Sequence, residues 1–347
     1  MQVIKKDVFL SRFSDESNNQ LLNVPLAGNL HKPGIKLFFI LILLVFQGGS
    51  FIYGQQPTLI THYMFLNMAV NPAFAGNSGG ISATGLVRQQ WIGWKSTDGT
   101  NPTPQTYLIT VDSPIRFLHG GVGGSVTQDQ IGAFKNITVK LGYAYKMEIG
   151  SGDLSIGGQL DLQNIGYDAS KFKPVDSGDP VLSGLEGKAS AMMVDAGVGA
   201  YYKVPEKYYL GFSIDNLLGS HAKKMAYSLR RTFYLAGGYQ WSIPDHPAFE
   251  LLPSALIMYD QAAFQLNASA LLMYNNKFYG GLGYRLQDAV SLLAGVQIKS
   301  IRIGVAYDIS TSAMHSYNSG GMEVMVNYCF KIDIDKFRKS YRNTRFL

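Results

Sequence analysis

Apolar and polar side chains alternate one for one along most of this chain, from Gly80 to Lys331. The pattern is clearest between Leu154 and Asn164, where leucine and isoleucine occupy one face and serine, glutamine and aspartate the other. Successive side chains point to opposite faces of a strand, so each segment is predicted to be a β-strand with one apolar face. Many strands of about bilayer length indicate an all-β fold, a transmembrane antiparallel β-barrel.

Turn-forming residues separate about 14 such strands. Their predicted ranges are 80–94, 105–116, 119–128, 136–148, 153–165, 189–203, 207–217, 229–242, 250–260, 263–275, 277–286, 289–298, 300–309 and 320–331. An even number places both ends of the barrel on one side, which is the periplasm for a bacterial outer-membrane barrel. The turns on that side are then mostly tight, and the long connections face outward at 95–104, 166–188 and 218–228.

The composition fits a barrel better than a bundle of membrane helices. Hydrophobic residues make up 46% of the chain, yet the mean hydropathy is only +0.03, so apolar character is spread out instead of gathered in spans. The 38 glycines, 21 tyrosines and 19 phenylalanines suit curved strands and interfacial aromatic girdles. A soluble β-sandwich also alternates, but one unbroken rhythm favours the barrel.

A continuous apolar run occurs only between Leu37 and Phe46. It follows Lys32 and Lys36 and leads to small residues before Gly54. A basic flank, a short apolar core and small residues near a cut are the parts of a secretory signal. We therefore predict four parts: an N-terminal extension with signal peptide at 1–54, a periplasmic N-terminal segment at 55–79, the outer-membrane barrel at 80–331 and a basic periplasmic tail at 332–347.

The net charge of +6 does not indicate a nucleic-acid protein. The tail from Lys331 onward has six basic and two acidic residues, a charge of +4, so the barrel is nearly neutral. Two interpretations of this tail stay open: it contacts an acidic periplasmic partner, or it is a solvated chain end. Its basic residues after the last strand are Lys336, Arg338, Lys339, Arg342 and Arg345.

Residues that suggest enzymatic, metal or cofactor chemistry do not occur in the required context. Gly76-Asn77-Ser78-Gly79-Gly80 matches the sequence motif of a nucleophile elbow, but a strand is predicted after the serine where that motif requires a helix. The glycines at 120–124 lack the lysine and hydroxyl residue of a phosphate loop, and we attribute them to strand curvature. Cys329 is the single cysteine, and the six histidines have no ligand spacing. We predict no catalytic, cofactor or metal site.

Charged side chains on the predicted strands fall on the face opposite the apolar one. Lipid exposure would cost each about 2 to 4 kcal/mol at the bilayer midplane, so they are predicted to point into the lumen. A network of paired charges that fills the barrel is the favoured interpretation, and a conduction path is the alternative. The predicted lumen charges are Lys140, Lys146, Asp161, Asp215, Arg302 and Asp308.

Three motifs lie between the signal and the second strand: Tyr63-Met64-Phe65, Asn71-Pro72-Ala73-Phe74-Ala75-Gly76 and Arg88-Gln89-Gln90-Trp91-Ile92-Gly93, the last expected on the first strand. They resemble the PorP/SprF family of outer-membrane proteins, which is associated with the type IX secretion system and gliding motility of Bacteroidota. Further matches are Asp112-Ser113-Pro114 and Lys140-Leu141-Gly142-Tyr143. His62 and Phe74 stand where the family has glutamine and tyrosine.

The segment before the first strand does not alternate, and it holds most of the family motif. Proline at 72 restricts the asparagine before it, so Asn71 is expected to cap a turn. We expect the segment to fold into or against the periplasmic mouth, as a brace for the barrel or as a docking surface for partners. The candidate residues are Tyr63, Phe65, Asn71, Pro72, Ala73, Gly76, Arg88, Gln90 and Trp91, and Phe74 is expected to pack beside them.

The resemblance implies a non-enzymatic component of type IX secretion in the cell outer membrane, which aids export or surface retention of proteins such as adhesins. Its implied partners are outer-membrane lipids, periplasmic and outer-membrane secretion components, and secreted surface proteins, with no nucleic acid. An outer-membrane channel for small or hydrophobic solutes is the alternative, since fourteen strands can enclose a lumen. A hydrolase is disfavoured, because no histidine lies on a confidently assigned strand.

Overall fold

The computed structural model describes residues 58–94, 103–171, 187–222, 225 and 227–331. The predicted signal peptide and basic tail, and most of the loops at 95–104 and 166–188, lie outside these ranges. The barrel strands are β1 (Gly80–Gln89), β2 (Gln105–Ile115), β3 (Gly120–Ile131), β4 (Phe134–Ile149), β5 (Gly152–Asp168), β6 (Lys188–Val204), β7 (Tyr208–Asp215), β8 (Thr232–Tyr239), β9 (Phe249–Tyr259), β10 (Phe264–Tyr274), β11 (Phe278–Arg285), β12 (Ala289–Ile298), β13 (Ile301–Ser310) and β14 (Gly321–Lys331).

Each strand pairs antiparallel with the next one in sequence, and β14 pairs with β1 from Gly80–Lys331 to Gln89–Met322. The sheet is therefore a closed barrel, which confirms the predicted architecture. The rim that holds the start of β1 and the end of β14 has the tight turns, and we call it the periplasmic rim. At the opposite, outer rim, the β7–β8 connection carries a two-stranded hairpin of His221–Ala222 and Tyr227–Ser228.

Alternation along the strands produces two different surfaces. On β13, Ile303, Val305 and Tyr307 are 40 to 43% exposed, whereas the intervening Ala306 and Asp308 are buried. The same holds on β4 and β7, where the predicted outward residues Leu141, Tyr145, Leu210 and Phe212 are exposed. An apolar exterior around a polar interior is the arrangement of an outer-membrane barrel.

The first strand is shorter than predicted. It ends at Gln89, and Gln90 instead donates its amide to the carbonyl of Pro104, 2.9 Å away. Trp91 and Gly93 then adopt left-handed conformations, with φ of 55° and 83°. A strand cannot continue through such residues, so the expectation that Gln90 and Trp91 lie on β1 is wrong. They form a turn at the outer rim.

Residues Thr58–Gly79 lie inside the barrel, and we call this segment the plug. It contains a short 3₁₀ turn at Tyr63–Phe65, one α-helical turn at Asn67–Val70 and a second 3₁₀ turn at Pro72–Phe74. Leu66 of the plug is 2% exposed and packs with Leu108 and Met325 of the wall. Burying one such side chain contributes about 1.5 to 3 kcal/mol. No helix in the described ranges is long and apolar enough to cross a membrane.

Candidate functional site

The plug crosses the lumen from one rim towards the other. Thr58 donates its hydroxyl to Asp129, 2.6 Å away, near the outer end of β3. Ser78 donates to Asp112, 2.8 Å away, near the periplasmic end of β2. The segment thus reaches much further than the periplasmic mouth, where it was expected. The reason is that its polar partners are spread along the full height of the inner wall.

A cluster of buried charged and polar groups holds the outer half of the plug. Glu323 on β14 is 1% exposed and accepts hydrogen bonds from the amides of Thr61, at 2.9 Å, and His62, at 2.8 Å. The Nδ1 atom of His62 lies 2.6 Å from the same carboxylate. Because the plug has no regular partner strand here, this one carboxylate satisfies two of its backbone donors. We call the cluster the latch; its members are Thr61, His62, Arg88, Arg285, Asp308 and Glu323.

Two arginines of the latch neutralise its carboxylates. Arg88 on β1 lies 2.7 Å from Asp308 and 3.2 Å from Glu323, and Arg285 on β11 lies 3.4 Å from Asp308. Thr61 accepts from both arginines, at 3.0 and 3.1 Å. Isolated charges at such depth would cost several kcal/mol each, so the ions depend on one another. The latch therefore ties the plug to the strands on both sides of the β1–β14 closure.

A second ionic group lies across the lumen from the latch. Lys140 and Asp215 form a buried ion pair, and Lys140 also donates to the plug carbonyl of Ala69, 3.3 Å away. Asp161, next to them, accepts from Gln159 at 3.2 Å. Asp195 accepts from loop amides of the β7–β8 connection at 2.9 Å. Lys140 therefore helps to hold the plug, and Asp195 helps to hold the outer loop.

The two remaining predicted lumen charges lie closer to the periplasmic rim. Lys146 pairs with Asp153 at 2.9 Å, and both side chains are partly exposed. Arg302 places its guanidinium 4.4 Å from the centre of the Phe65 ring and donates to Gln297, 2.6 Å away. A cation over an aromatic face contributes about 0.5 to 2 kcal/mol. Phe65 is thus fixed from the wall side.

Glycines on the wall allow the plug backbone to approach closely. A Cβ atom on Gly157 would lie 2.7 Å from the Cα atom of Ala73, and one on Gly121 would lie 2.5 Å from that of Gly76. The same atom on Gly123 would meet the sulfur of Met68 at 2.6 Å. Real Cβ atoms do not approach backbone atoms so closely, so positions 121 and 157 require glycine, whereas at position 123 the flexible end of Met68 would have to shift. The run at 120–124, attributed above to curvature, therefore also forms part of the seat for the plug.

Asn71 fixes the sharpest bend of the plug. Its Oδ1 accepts from the amide of Ala73 at 2.9 Å, which caps the turn that begins at Pro72. Its Nδ2 donates to the carbonyl of Ala200, 3.0 Å away on β6. The following Phe74 meets Tyr201 edge to face, with ring centres 5.3 Å apart. The asparagine side chain therefore orders the bend and joins it to the wall.

Replacing Asn71 by alanine is expected to lower the free energy of unfolding by about 1 to 3 kcal/mol, because the cap and a buried carbonyl partner are lost together. Asn71→Asp keeps the accepting oxygen but turns the other one, now a buried and unpaired charge, against the carbonyl of Ala200, so it should be at least as destabilising as alanine. Urea unfolding of the purified barrel measures both. Equal stability of all three proteins would contradict the role of this side chain.

The other residues of the family motif lie at different heights along the barrel, between its two rims. The Tyr63 hydroxyl lies 2.9 Å from the carbonyl of Ser254 and 2.8 Å from the hydroxyl of Ser269. Phe65 packs on Tyr279 with ring centres 5.4 Å apart. Trp91 meets Trp94 at 5.6 Å at the outer rim, away from the plug contacts. Arg88 contacts the plug, and the N-terminal residues of the family motif form part of the plug. Gln90 and Trp91 lie apart from them, at the outer rim.

Four residues of the latch are not among the site residues that the sequence predicts: Thr61, His62, Arg285 and Glu323. One signal was available for Glu323. Its neighbours Met322 and Val324 belong to the apolar outward face of the last strand, so alternation places this glutamate in the lumen. Its partner across the barrel seam, Arg88, is directly opposite in the β1–β14 register.

A cavity lies beside the plug towards each rim of the barrel. The outer one is about 200 Å³, and its polar lining includes Thr58, Asp129 and Lys140. The periplasmic one is about 140 Å³ and is lined mainly by apolar groups, among them Met64 and Phe65. Within the described part of the chain, no cluster of three histidine, cysteine, aspartate or glutamate side chains could hold a metal ion.

Solved structures with similar backbones include an outer membrane protein and a toluene transporter. Omp33 of Acinetobacter baumannii is 9% identical, covers 73% of this chain and 99% of its own, and has a TM-score of 0.42. The toluene transporter TbuX of Ralstonia pickettii is 14% identical over 76% of this chain and 93% of its own, with a TM-score of 0.48. Scores this low carry no inference about this chain. No curated protein matches it at a significant level.

Family membership comes from the sequence itself. The family described as type IX secretion system membrane protein PorP/SprF matches residues 52–328, well over half of the 347 residues. The matched range contains the plug, the latch and nearly all of the barrel. The chain therefore belongs to the PorP/SprF family of type IX secretion system membrane proteins and is located in the outer membrane.

Proposed function

We propose that this protein is a non-enzymatic component of the type IX secretion and gliding machinery, which aids the export or surface retention of proteins such as adhesins. The observation that supports this most is the occupied lumen. The plug fills the barrel with side chains that are largely buried, and a charged latch fixes it. A barrel closed by its own chain offers two rims for partners and no passage for a folded or unfolded polypeptide.

The plug acts mainly as a brace in this proposal. Its residues from Ile60 to Tyr63 are buried against several strands, and the latch joins β1, β11, β13 and β14. A surface meant for docking would instead be exposed before the partner arrives. Met64 and Phe65 differ, because they line the periplasmic cavity.

The solute channel is the less favoured function. The outer and periplasmic cavities have different lining residues and lie on opposite sides of the plug. A solute would have to displace Tyr63 and Tyr234. Both are buried in the cluster that also holds Val70 of the outer cavity and Met64 of the periplasmic one. The charges that lined the predicted conduction path hold the plug in place in this proposal.

Deleting Gln56–Ala75 tests the brace. The expected result is a large loss of folded barrel from the outer membrane, and with it a loss of adhesin from the cell surface. A normal amount of folded barrel with lost secretion would instead assign the segment to docking. Normal amounts of both barrel and surface adhesin would contradict the proposal for the plug.

Affinity isolation from native outer membranes tests the assignment to secretion. The expected result is recovery of periplasmic or outer-membrane type IX components, or of a surface adhesin, with the intact barrel. Isolation of lipopolysaccharide and assembly factors alone, from membranes that contain active secretion machinery, would contradict it.

A further inference from the structure

The periplasmic cavity lies at a break in the barrel wall. Pairing between β8 and β9 stops after Gly238–Ser254 and resumes at Trp241–Leu251 without a change of register. Pro253, which has no amide proton, lies within the gap. The amide of Gln240 donates to the carbonyl of Lys207, 2.7 Å away on the β7 side, so β8 stays attached to β7 while its pairing with β9 is interrupted. The wall therefore loosens here, at the height of the β6–β7 turn, and leaves a cavity of about 140 Å³.

The inner surface of this cavity is apolar. Met64 and Phe65 of the plug contribute to it, and they pack with the same cluster as Leu252 and Leu271 of the wall. An apolar cavity of about 150 Å³ accommodates a benzene-sized molecule. The space thus suits one aromatic side chain and is too small for an extended acyl chain.

The rim of the cavity carries positive charge. Lys203 on β6 is half-buried, and its ammonium lies 3.4 Å from the carbonyl of Asn77. Asp112 and Asp153 are the carboxylates that attract it, but among the described residues none forms an ion pair with it within 4.0 Å. Lys207 in the adjacent turn is exposed, as is Glu206 beside it. A half-buried ammonium with no carboxylate at ion-pair distance favours an anionic group on the bound molecule.

We propose that this cavity is a docking pocket for one aromatic side chain of a periplasmic polypeptide, flanked by an aspartate or glutamate that pairs with Lys203 and Lys207. This inference rests on the proposed function, because it takes a periplasmic partner for granted. The aromatic ring fills the apolar cavity as an anchor, and the acidic neighbour sets its orientation. The plug then has two roles: its latch stabilises the barrel, and its Met64–Phe65 turn forms one wall of the pocket.

Binding of labelled peptides to purified full-length protein tests the pocket. The probe is Gly-Phe-Asp-Asp-Gly, and the controls are Gly-Phe-Lys-Lys-Gly and Gly-Ser-Asp-Asp-Gly. The probe is expected to bind with a Kd below about 1 mM. Both controls should bind at least about tenfold more weakly, because each lacks one half of the recognised chemistry.

Three variants locate the binding. Leu252→Trp fills the pocket and should weaken probe binding at least about tenfold, whereas Leu282→Trp, the same change on the exposed outer face, should leave it unchanged. Lys203→Gln should weaken it about threefold to tenfold and reduce its salt dependence. Heat-modifiable migration on gels verifies that each variant is folded.

Three results would overturn this proposal. They are equal affinity for the three peptides, no binding of the probe at millimolar concentration, and unchanged binding of the probe by folded Leu252→Trp. Tighter binding of decanoate than of the probe would also overturn it, in favour of a lipid site. These outcomes are separate from the proposed function. Peptide binding can persist in a protein that isolates no secretion component, and secretion can depend on a barrel that binds no peptide.

Discussion

Replacing Arg88 by methionine is expected to lower the free energy of unfolding by about 3 to 5 kcal/mol, the largest effect of any single latch substitution. Arg88 is buried and contacts both Asp308, at 2.7 Å, and Glu323, at 3.2 Å. Methionine fills the space but leaves Glu323 without its arginine partner and Asp308 with only Arg285, at 3.4 Å. Asp308 and Glu323 are at most 4% exposed, so water cannot take the place of the lost guanidinium.

The measurement is urea unfolding of the purified barrel, followed by tryptophan fluorescence. Arg231→Met is the matched control, because Arg231 is exposed in the outer loop and donates to the carbonyl of Leu217, 2.9 Å away. That change should alter stability by less than about 0.5 kcal/mol. Adding Glu323→Gln to Arg88→Met should recover part of the loss, since one of the unpaired charges is removed. Equal stability of the two methionine variants would contradict the latch.

Replacing Gly157 by valine is expected to push the plug off its seat. The new Cβ would lie 2.7 Å from the backbone of Ala73, which belongs to a turn held on several sides and cannot shift by the small amount needed. Overpacking of this kind costs about 1 to 3 kcal/mol. The neighbouring Gly158→Val is a close control, because Gly158 faces outward and the nearest atom to its Cβ would be 3.8 Å away.

Chymotrypsin reports the position of the plug directly, since the segment contains Tyr63, Phe65 and Phe74 but no lysine or arginine. The wild-type protein and Gly158→Val should resist cleavage there, and Gly157→Val should be cut within the plug while the barrel strands stay intact. Resistance of Gly157→Val equal to that of Gly158→Val would show that the plug tolerates the extra atoms.

Alternation predicted the barrel well because it depends on the local chain alone. All fourteen predicted strands occur, and the outward faces of β4, β7 and β13 are the ones expected. The error at Gln90 and Trp91 has a local cause as well. Their side chains suit a strand, and the left-handed backbone at Trp91 leaves no pattern in the sequence.

The site was harder to predict because its contacts join distant residues. Alternation shows that Glu323 and Arg285 face the lumen, but it cannot show which inward groups meet there or that Thr61 and His62 come between them. The glycines at 121 and 157 likewise have a meaning only with the plug in place. The family resemblance indicated that the plug segment is important. Why it has these particular residues is explained by their contacts with the inner wall of the barrel.

The conductance of the purified full-length protein in a planar bilayer tests the central claim most directly. The plug and its latch predict a silent membrane, with steady openings only after displacement of the plug by Gly157→Val. Steady open pores from the intact wild-type barrel would contradict the account, because they would show that the plug leaves a passage and that the lumen conducts.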